Sequence, residues 1–291
     1  MKHKAGFVNI IGNPNVGKST LMNVLVGEKL SIITSKAQTT RQRILGIVNA
    51  EDFQIVYSDT PGIIKPAYKL QESMMKFVNT AISDADIILY VTDIYETPDK
   101  NIEYIERIQN TSTPVYLIIN KIDLASDSEI EKLEKHWEET LPKAKCIKTS
   151  ALEKTNTDNL LQIIVDSLPE HPPFFPKDEL TDKTERFFAS EIIREKIFLH
   201  YKQEVPYSVE VGVEEFKESD DIIRIRAIIY VARDSQKPIL IGKKGAGIKK
   251  TGTEARLDME EFWCKKVFLD LHVKVKKDWK NNPHSLKQFG Y

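Results

Sequence analysis

Short apolar runs alternate with segments of helical period over the first 168 residues of the chain. Six runs, most of them rich in isoleucine and valine, are predicted to be strands, at 7–11, 44–48, 53–57, 87–91, 115–119 and 146–149. Between them, the apolar positions indicate helices at about 18–26, 70–82, 99–109, 129–140 and 157–168. Runs with little polar alternation are typical of strands buried on both faces. Their alternation with helices predicts an α/β fold built on a mostly parallel sheet.

The pattern changes after a proline-rich stretch in which four prolines fall within eight positions, from Pro169 to Pro176. Because proline fixes φ and removes a backbone donor, residues 170–183 are predicted to be a linker. Beyond it, the pattern predicts a helix at 184–202, strands at 208–217 and 222–231, a loop with three glycines, a helix to about 263 and a strand at 267–275. We therefore expect a first domain at 1–169 and a smaller α+β domain, with a C-terminal tail, at 184–291.

Charge is distributed unevenly along this chain of 291 residues, whose net charge is only -1. Residues 1–183 carry 21 basic and 26 acidic side chains, whereas residues 233–291 carry 14 basic and 7 acidic ones. A local basic stretch is typical of proteins that bind a phosphate backbone, although most charge runs are simply solvated surfaces. The chain has two cysteines, no apolar run of membrane-spanning length and no signal-peptide pattern. We therefore expect a soluble intracellular protein.

A phosphate-binding motif follows the first predicted strand and opens the first predicted helix. It has the pattern G-x-x-x-x-G-K-[ST] and consists of Gly12, Asn13, Pro14, Asn15, Val16, Gly17, Lys18 and Ser19, with Thr20 next. In this pattern the glycines let backbone N–H groups surround a phosphate, and the helix N-terminus adds partial positive charge. Lys18 is expected to contact the β- and γ-phosphates, and Ser19 to bind Mg²⁺.

A second motif, D-x-x-G, follows the third predicted strand. It consists of Asp59, Thr60, Pro61 and Gly62, and Ile63 comes next. Asp59 is expected to hold Mg²⁺ through water, and the N–H of Gly62 to face the γ-phosphate. Between the two motifs, the polar segment 35–41 contains two threonines. In the GTPases that these two motifs resemble, a threonine of this segment completes the Mg²⁺ shell in the triphosphate state. The resemblance favours Thr40, with Thr39 as the alternative.

Two further motifs follow strands at the carboxyl edge of the predicted sheet, where open α/β sheets bind ligands. They consist of Asn120, Lys121, Ile122 and Asp123, and of Ser150 and Ala151. The Asp123 carboxylate can accept hydrogen bonds from guanine N1–H and the 2-amino group, a pair of donors that adenine does not offer. The stem of Lys121 can cover the base, and a main-chain N–H of the pair Ser150 and Ala151 can donate to guanine O6. The sequence therefore predicts a guanine nucleotide as ligand.

All four elements, in this order and spacing, resemble the translation-factor-related GTPases. The resemblance implies that Ile63 stands where Ras-like GTPases carry a water-orienting glutamine, so we expect slow intrinsic hydrolysis. It also implies that Asn15 stands where related GTPases use an asparagine to bind a monovalent cation in place of an arginine finger. The candidate catalytic residues are therefore Lys18, Thr40 and Asn15, with GTP or GDP, Mg²⁺ and additionally K⁺ as cofactors. A loop-stabilising role for Asn15 is the alternative.

A loop in the second domain has the pattern I-G-x-x-G-x-x-I. Its candidate RNA-binding residues are Ile241, Gly242, Lys243, Lys244, Gly245 and Ile248. The loop resembles the signature of KH domains, in which it clamps the backbone of four nucleotides. Its glycines permit close approach to the sugar-phosphate chain, and its two lysines meet the negative charge. The order of helix, two strands, loop, helix and strand resembles the prokaryotic KH arrangement.

Nearly the whole chain resembles the Era family of bacterial ribosome-assembly GTPases. Besides the motifs above, the resemblance rests on residues 39–41, 186–196 and 206–209. It implies a GTPase domain at 1–169 and a KH domain at 184–291, binding near the 3′ end of 16S ribosomal RNA, and a role in biogenesis of the 30S subunit. It also implies a cytoplasmic monomer, peripherally associated with the inner face of the cell membrane. GTP would order the loops around Thr40 and Ile63 and thereby change how the KH domain is presented to RNA.

Two other functions fit part of the pattern. A P-loop enzyme that phosphorylates a small molecule would share the motif at 12–19, but the guanine motif at 120–123 and the KH loop argue against it. A plain RNA-binding module with a vestigial nucleotide site would share the KH loop, but the intact phosphate and guanine motifs argue against that.

Overall fold

The computed structural model describes residues 3–96 and 101–291 of the chain. The chain divides into two compact units, one formed by Met1–Pro66 and Ser73–Asp182 and the other by Ala67–Glu72 and Lys183–Tyr291. The first contains a mostly parallel sheet, and the second a small sheet with helices. The α/β and α+β classes predicted from the sequence are therefore confirmed.

A six-stranded sheet, in the order β2-β3-β1-β4-β5-β6, forms the centre of the first unit. Its strands are β1 (Lys4–Gly12), β2 (Ile44–Asn49), β3 (Phe53–Asp59), β4 (Ile87–Asp93), β5 (Val115–Asn120) and β6 (Lys145–Lys148). Among these described strands, β2 alone runs antiparallel to its neighbour. Every residue of β4 is buried, which is typical of a strand that is covered on both faces.

Within residues 3–96 and 101–182, five α-helices alternate with these strands. They are α1 (Lys18–Val26), α2 (Lys69–Ser83), α3 (Ile102–Gln109), α4 (Asp127–Thr140) and α5 (Thr157–Ser167). The predicted start of the third helix, at 99, lies outside the described residues. The fourth helix begins two residues before its predicted start at 129 because Ser126 and Glu129 form a capping box. This box satisfies backbone donors of the first turn that would otherwise lack partners.

The strand order places the predicted nucleotide motifs at one edge of the sheet. β1 ends at Gly12, β3 at Asp59 and β5 at Asn120, and Ser150 follows the end of β6 by two residues. Parallel neighbours direct their carboxyl ends to the same edge, so motifs distant in sequence become adjacent there.

Residues 170–182, predicted to belong to a linker, are instead hydrogen-bonded to the first unit along its antiparallel edge. The buried amide of Gln54 accepts from the N–H groups of Phe174 at 2.7 Å and Phe175 at 3.0 Å, and donates to the carbonyl of Phe175 at 2.8 Å. Because these interactions engage the backbone itself, the proline-rich segment packs as part of the unit. The division between the units accordingly follows Asp182, whereas the sequence predicts the first domain to end at 169.

The second unit packs a three-stranded sheet against two long helices. The strands β7 (Val209–Glu218), β8 (Ile222–Val231) and β9 (Lys266–Val275) form the sheet in that order. β7 and β8 pair antiparallel, and β8 and β9 pair parallel. Apolar residues of the sheet share one core with the two long helices, α6 (Glu185–His200) and α8 (Ala246–Trp263). One face of each strand therefore packs and the other faces solvent, as the alternating pattern predicts.

Two short helices of this unit are absent from the sequence prediction, namely α7 (Gln236–Ile241) and α9 (Pro283–Gln288). Each contains a proline in its first turn, where the missing N–H has no partner within a helix, so the proline does not break it. Asn282 also caps α9 by accepting from the N–H of Ser285 at 3.0 Å. None of the described helices combines the length and apolar composition needed to cross a bilayer.

Candidate functional site

A cavity of about 490 Å³ lies where the nucleotide motifs meet. The predicted residues that line it are Pro14, Asn15, Gly17, Lys18, Ser19, Thr20, Thr40, Thr60, Gly62, Asn120, Lys121, Asp123 and Ala151, together with the alternative Thr39. The predicted residues that do not line it are Gly12, Asn13, Val16, Asp59, Pro61, Ile63, Ile122 and Ser150. The fold thus brings all the segments predicted to bind the nucleotide to one cavity.

Lys18 is a buried cation in this cavity. α1 begins at Lys18, directly after Gly17 in a left-handed conformation with φ 95°, so the N-terminus of the helix opens at the site. Burial lowers the pKa of Lys18 to about 8, and the charges of Asp59 and Glu96 partly offset this effect. The ammonium donates to the carbonyl oxygen of Asn13 at 2.7 Å. A desolvated cation beside a helix N-terminus is a favourable place for a phosphate.

Three side-chain oxygens meet close to Lys18. Ser19 Oγ donates to Asp59 Oδ2 at 2.6 Å, and Thr40 Oγ1 lies 2.9 Å from Ser19 Oγ and 3.2 Å from the same carboxylate oxygen. Burial raises the pKa of Asp59, opposed by the hydrogen bond from Ser19 and the charge of Lys18. Asp59 Oδ1 is buried and has no well-formed hydrogen bond to any described residue. Hydroxyl and carboxylate oxygens are the ligands that Mg²⁺ prefers, so this set fits that ion.

The structure distinguishes the two threonines that the sequence offers as metal ligands. Thr40 belongs to the oxygen cluster, whereas the hydroxyl of Thr39 lies 2.6 Å from that of Thr34 and donates to the carbonyl of Lys36 at 2.7 Å. In this arrangement the hydroxyl of Thr40 lies beside Ser19 Oγ, whereas the hydroxyl of Thr39 is bonded within its own segment.

Asn15 and Ile63 have contrasting environments beside the phosphate loop. Asn15 has φ 66°, and its side-chain amide donates to the carbonyl of Ser35 at 3.2 Å. Ile63 is buried, and its N–H donates to the carbonyl of Gly12 at 3.1 Å. The amide of Asn15 can therefore bind a polar group of residues 35–41, the switch segment, while the aliphatic side chain of Ile63 offers no hydrogen bond to water.

Asn120 connects its own motif at 120–123 by hydrogen bonds to the phosphate loop and to the motif at 150–151. Its Nδ2 donates to the carbonyl of Val16 at 2.9 Å, and its Oδ1 accepts from the N–H of Ala151 at 2.9 Å. Gly17 makes room for it, because a Cβ on Gly17 would lie 2.2 Å from Asn120 Nδ2. The N–H of Ala151, expected to bind guanine O6, is thus bonded to Asn120, and a base would have to share it.

Lys121 reaches back over the phosphate loop to Asp93, which the sequence analysis does not identify. Lys121 Nζ donates to the carbonyl of Asn15 at 2.6 Å and pairs with Asp93 Oδ2 at 2.6 Å. Asp93 is buried and is the last residue of β4, the strand between β1 and β5. An acidic residue at the carboxyl end of that strand is the sequence signal that could have identified it.

Exposed apolar side chains border the cavity beside the guanine motif. Leu124 and Leu152 are 57% and 74% exposed, and they directly follow the motifs that end at Asp123 and Ala151. Asp123 is itself exposed and lines the same cavity. Apolar side chains beside a carboxylate suit a planar base, whose faces are apolar and whose edge donates hydrogen bonds.

Residues 242–245, the glycine-lysine loop of the KH pattern, join α7 to α8 in the second unit. Gly242, Lys244 and Gly245 have φ of 72°, 52° and 79°, which turns the chain sharply between the two helices. Lys243 and Lys244 are exposed. The loop therefore presents two cations just ahead of the N-terminus of α8, which adds partial positive charge.

A cleft of about 290 Å³ adjoins this loop, between α8 and β9. Its lining includes Lys249, Arg256 and Leu271, which the sequence analysis does not single out, as well as Ile248, which it does. Ile241 and Ile248 flank the loop and pack against the core of the unit. The predicted RNA-binding residues thus divide into exposed lysines, turn-forming glycines and anchoring isoleucines.

Family models match a large part of each unit. A model described as 50S ribosome-binding GTPase matches residues 7–121, and a KH domain model matches residues 204–280. The first range contains the motifs at 12–19 and 59–62 and the first two residues of the motif at 120–123, and the second range contains the glycine-lysine loop.

Full-length relatives share both units in the same order. The GTPase Era of Staphylococcus haemolyticus (strain JCSC1435) is 43% identical over 292 residues, which cover 100% of this chain and 98% of that protein. A crystal structure of Era in complex with MgGDPNP and nucleotides 1506–1542 of 16S ribosomal RNA aligns with a TM-score of 0.95 and 39% identity, over 99% of both chains. A variant of Aquifex aeolicus Era bound to GDP and AlF4⁻ aligns with a TM-score of 0.95 and 40% identity, again over 99% of both chains.

Proposed function

This chain belongs to the Era family of GTPases, and on that premise we propose that GTP hydrolysis times its binding to the 3′ end of 16S ribosomal RNA during biogenesis of the 30S subunit. It is a GTPase that binds GTP and GDP with Mg²⁺. The observation that carries the proposal is the presence, in one chain, of a cavity lined by all the guanine-nucleotide motifs and of a KH loop. Neither rival function, a small-molecule kinase or a plain RNA-binding module, requires both.

At the phosphates, we propose that Lys18 contacts the β- and γ-phosphate oxygens while loop N–H groups hold the β-phosphate. Its desolvated ammonium supports this role. Ser19, Thr40 and, through water, Asp59 would hold Mg²⁺, which supplies positive charge against the phosphate oxygens. The orphaned carboxylate oxygen of Asp59 supports that assignment. Gly62 packs closely against the phosphate loop, because a Cβ on it would lie 2.7 Å from Pro14 Cα, and its N–H would face the γ-phosphate.

At the base, we propose that Asp123 accepts two hydrogen bonds from guanine while Lys121 covers one face of the ring. The ion pair of Lys121 with Asp93 holds its ammonium away from the carboxylate of Asp123, which stays available to the base. Leu152 would contact the ring as an apolar neighbour. Asp93 is then a positioning residue for this half of the site.

Hydrolysis needs positive charge between the β- and γ-phosphates in the transition state. Ile63 supplies none, and we propose that a potassium ion, held partly by Asn15, does so. The hydrogen bond from the Asn15 amide to the Ser35 carbonyl supports the proposal, because it places the side-chain amide and a backbone carbonyl of the switch segment side by side.

We expect GTP hydrolysis to be at least roughly tenfold faster in potassium than in sodium at equal ionic strength, because preorganised charge at this position acts mainly on the transition state. Asn15→Ala should abolish the difference and leave nucleotide affinity unchanged, while Asn15→Asp, which keeps an oxygen ligand, should retain it. Initial rates of phosphate release in the two salts measure this. Equal rates in both salts, with and without RNA, would rule out the potassium site.

For RNA, we propose that the glycine-lysine loop clamps the sugar-phosphate backbone and that bases enter the adjoining cleft beside Arg256. The exposure of Lys243 and Lys244 supports the first interaction, and the cleft between α8 and β9 supports the second. We further propose that GTP orders the segments around Thr40 and Ile63 and so alters how the KH domain is presented to RNA.

Replacing Lys243 and Lys244 together with aspartate should weaken binding to RNA containing 16S nucleotides 1506–1542, the segment bound by the Era structure above, by roughly tenfold or more. The slope of log affinity against log salt concentration should also become shallower, by about one for each phosphate that the protein no longer neutralises. Filter binding or anisotropy over a salt series measures both quantities.

The matched control changes two other consecutive lysines of the same unit, Lys265 and Lys266, to aspartate. It alters the net charge by the same amount but lies beyond the far end of α8 from the loop, and it should have a much smaller effect. Guanine-nucleotide affinity should be unchanged in both variants. Full RNA affinity in the Lys243 and Lys244 variant would refute the proposed RNA interaction.

Peripheral membrane association and a monomeric state, both implied by the family resemblance, are also part of the proposal. Flotation with vesicles of anionic lipid and light scattering of the free protein would test them separately from RNA binding.

A further inference from the structure

Tyr201 lies directly after α6, next to the two helices that hold the KH loop. α6 ends at His200, but the N–H of Tyr201 still donates to the carbonyl of Ile197 at 3.0 Å. Ile197 is fully buried in the core of the unit. The aromatic ring of Tyr201 is therefore attached to a firmly packed helix.

The hydroxyl of Tyr201 donates to the carbonyl of Leu240 at 2.7 Å. Leu240 is buried and belongs to the last turn of α7, where carbonyl groups lack partners within the helix. A helix of six residues is too short to be stable by itself, so a side-chain donor at its end contributes much of its order. Tyr201 thus caps α7 at the point where the chain enters the loop at Gly242.

The same hydroxyl also lies against α8, on the other side of the loop. Its oxygen is 3.4 Å from the hydroxyl oxygen of Thr251, which is buried. Gly247 permits the approach, because a Cβ on Gly247 would lie 2.9 Å from the Tyr201 oxygen and 2.8 Å from the carbonyl oxygen of Leu240. The hydroxyl of a tyrosine is protonated at neutral pH and can donate, and burial raises the pKa of Tyr201 further.

We propose that Tyr201 is a positioning residue for RNA binding, whose hydroxyl holds the ends of α7 and α8 together and so fixes Lys243 and Lys244 in the geometry that meets RNA phosphates. The inference rests on the RNA-binding function proposed above. A loop that is ordered before binding gives up less conformational entropy on binding, so loosening it lowers affinity without removing charge. Such a role predicts weaker binding with an unchanged salt dependence.

Tyr201→Phe removes one oxygen atom and keeps the ring. We expect its affinity for RNA containing nucleotides 1506–1542 to fall about fivefold, the effect of one neutral hydrogen bond, with an unchanged slope against salt. Hydrogen exchange at the amides of residues 242–247 should become faster in the RNA-free protein. Tyr207→Phe is the matched control, because its ring packs edge-on against Phe198 in the same unit, and it should change neither quantity.

Unchanged RNA affinity in Tyr201→Phe, or lower affinity without faster exchange at 242–247, would overturn the inference. The variant with aspartate at both Lys243 and Lys244, measured on the same RNA, separates the two levels of the argument. If that variant binds RNA normally, the RNA-binding function fails. If its affinity falls while that of Tyr201→Phe does not, only the role of Tyr201 fails.

Discussion

Asp123→Asn is expected to weaken GTP binding by about 3 kcal/mol, roughly a hundredfold, and to shift preference toward xanthosine triphosphate. The carboxylate accepts two hydrogen bonds from guanine, whereas an asparagine amide would place its NH2 group against the guanine 2-amino group. Xanthine carries an oxygen at that position, which the new NH2 group can donate to. Competition of the two triphosphates against a fluorescent guanine nucleotide would measure the change in preference.

Asp127→Asn is the matched control for this experiment. Asp127 is an exposed carboxylate four residues further along, at the start of α4, and it does not line the cavity. It should keep the preference for GTP. A variant at Asp123 that still prefers GTP over xanthosine triphosphate to the same degree would remove Asp123 from base recognition.

Asn120→Ala is expected to lower nucleotide affinity by roughly a hundredfold as well, but by a different mechanism. The change leaves the carbonyl of Val16 without its partner whether or not nucleotide is bound, and leaves the N–H of Ala151 unpaired in the nucleotide-free protein, in a site where Asn120 is only 2% exposed. Each buried group left unpaired costs about 1–3 kcal/mol. The phosphate loop and the guanine motifs would also lose their connection, so the free energy of unfolding should fall even without nucleotide.

Nucleotide titration and thermal unfolding of the nucleotide-free protein would test both effects of the Asn120 change. Asn120→Asp should be at least as harmful as alanine, because it keeps the acceptor for Ala151 but turns a negative oxygen toward the Val16 carbonyl. Asn110→Ala is the control, since Asn110 is an exposed asparagine whose amide donates only locally, to the carbonyl of Glu106 at 2.9 Å. Normal nucleotide affinity in Asn120→Ala would show that the connection is dispensable.

Features that depend on neighbouring positions were accessible from the amino-acid sequence. The apolar runs of the first 168 residues predict strands and helices because periodicity is a local property, and the structure has β4 and α2 within a residue or two of the predicted bounds. The phosphate motif and the KH loop are contiguous segments whose geometry depends on their own glycines. The sequence pattern does not predict α7, a helix of six residues whose first turn contains Pro238, a residue that is tolerated there but disfavoured further inside a helix.

Pairings between distant segments were decided by the tertiary structure alone. Thr39 and Thr40 are equivalent in sequence, and only the packing of the switch segment places Thr40 beside Ser19. Asp93 pairs with Lys121 because β4 lies between β1 and β5, an order that no local pattern encodes.

The packing of residues 170–182 and the hydrogen bond from Tyr201 to the end of α7 also join residues that are distant in sequence, so they too depend on the tertiary structure. The sequence by itself determined the fold class, the guanine-nucleotide motifs and the KH loop, since each is specified by residues close together in the chain. The tertiary structure decided which of several similar side chains meet, because such a pairing depends on strand order, chain direction and the close approach of backbones.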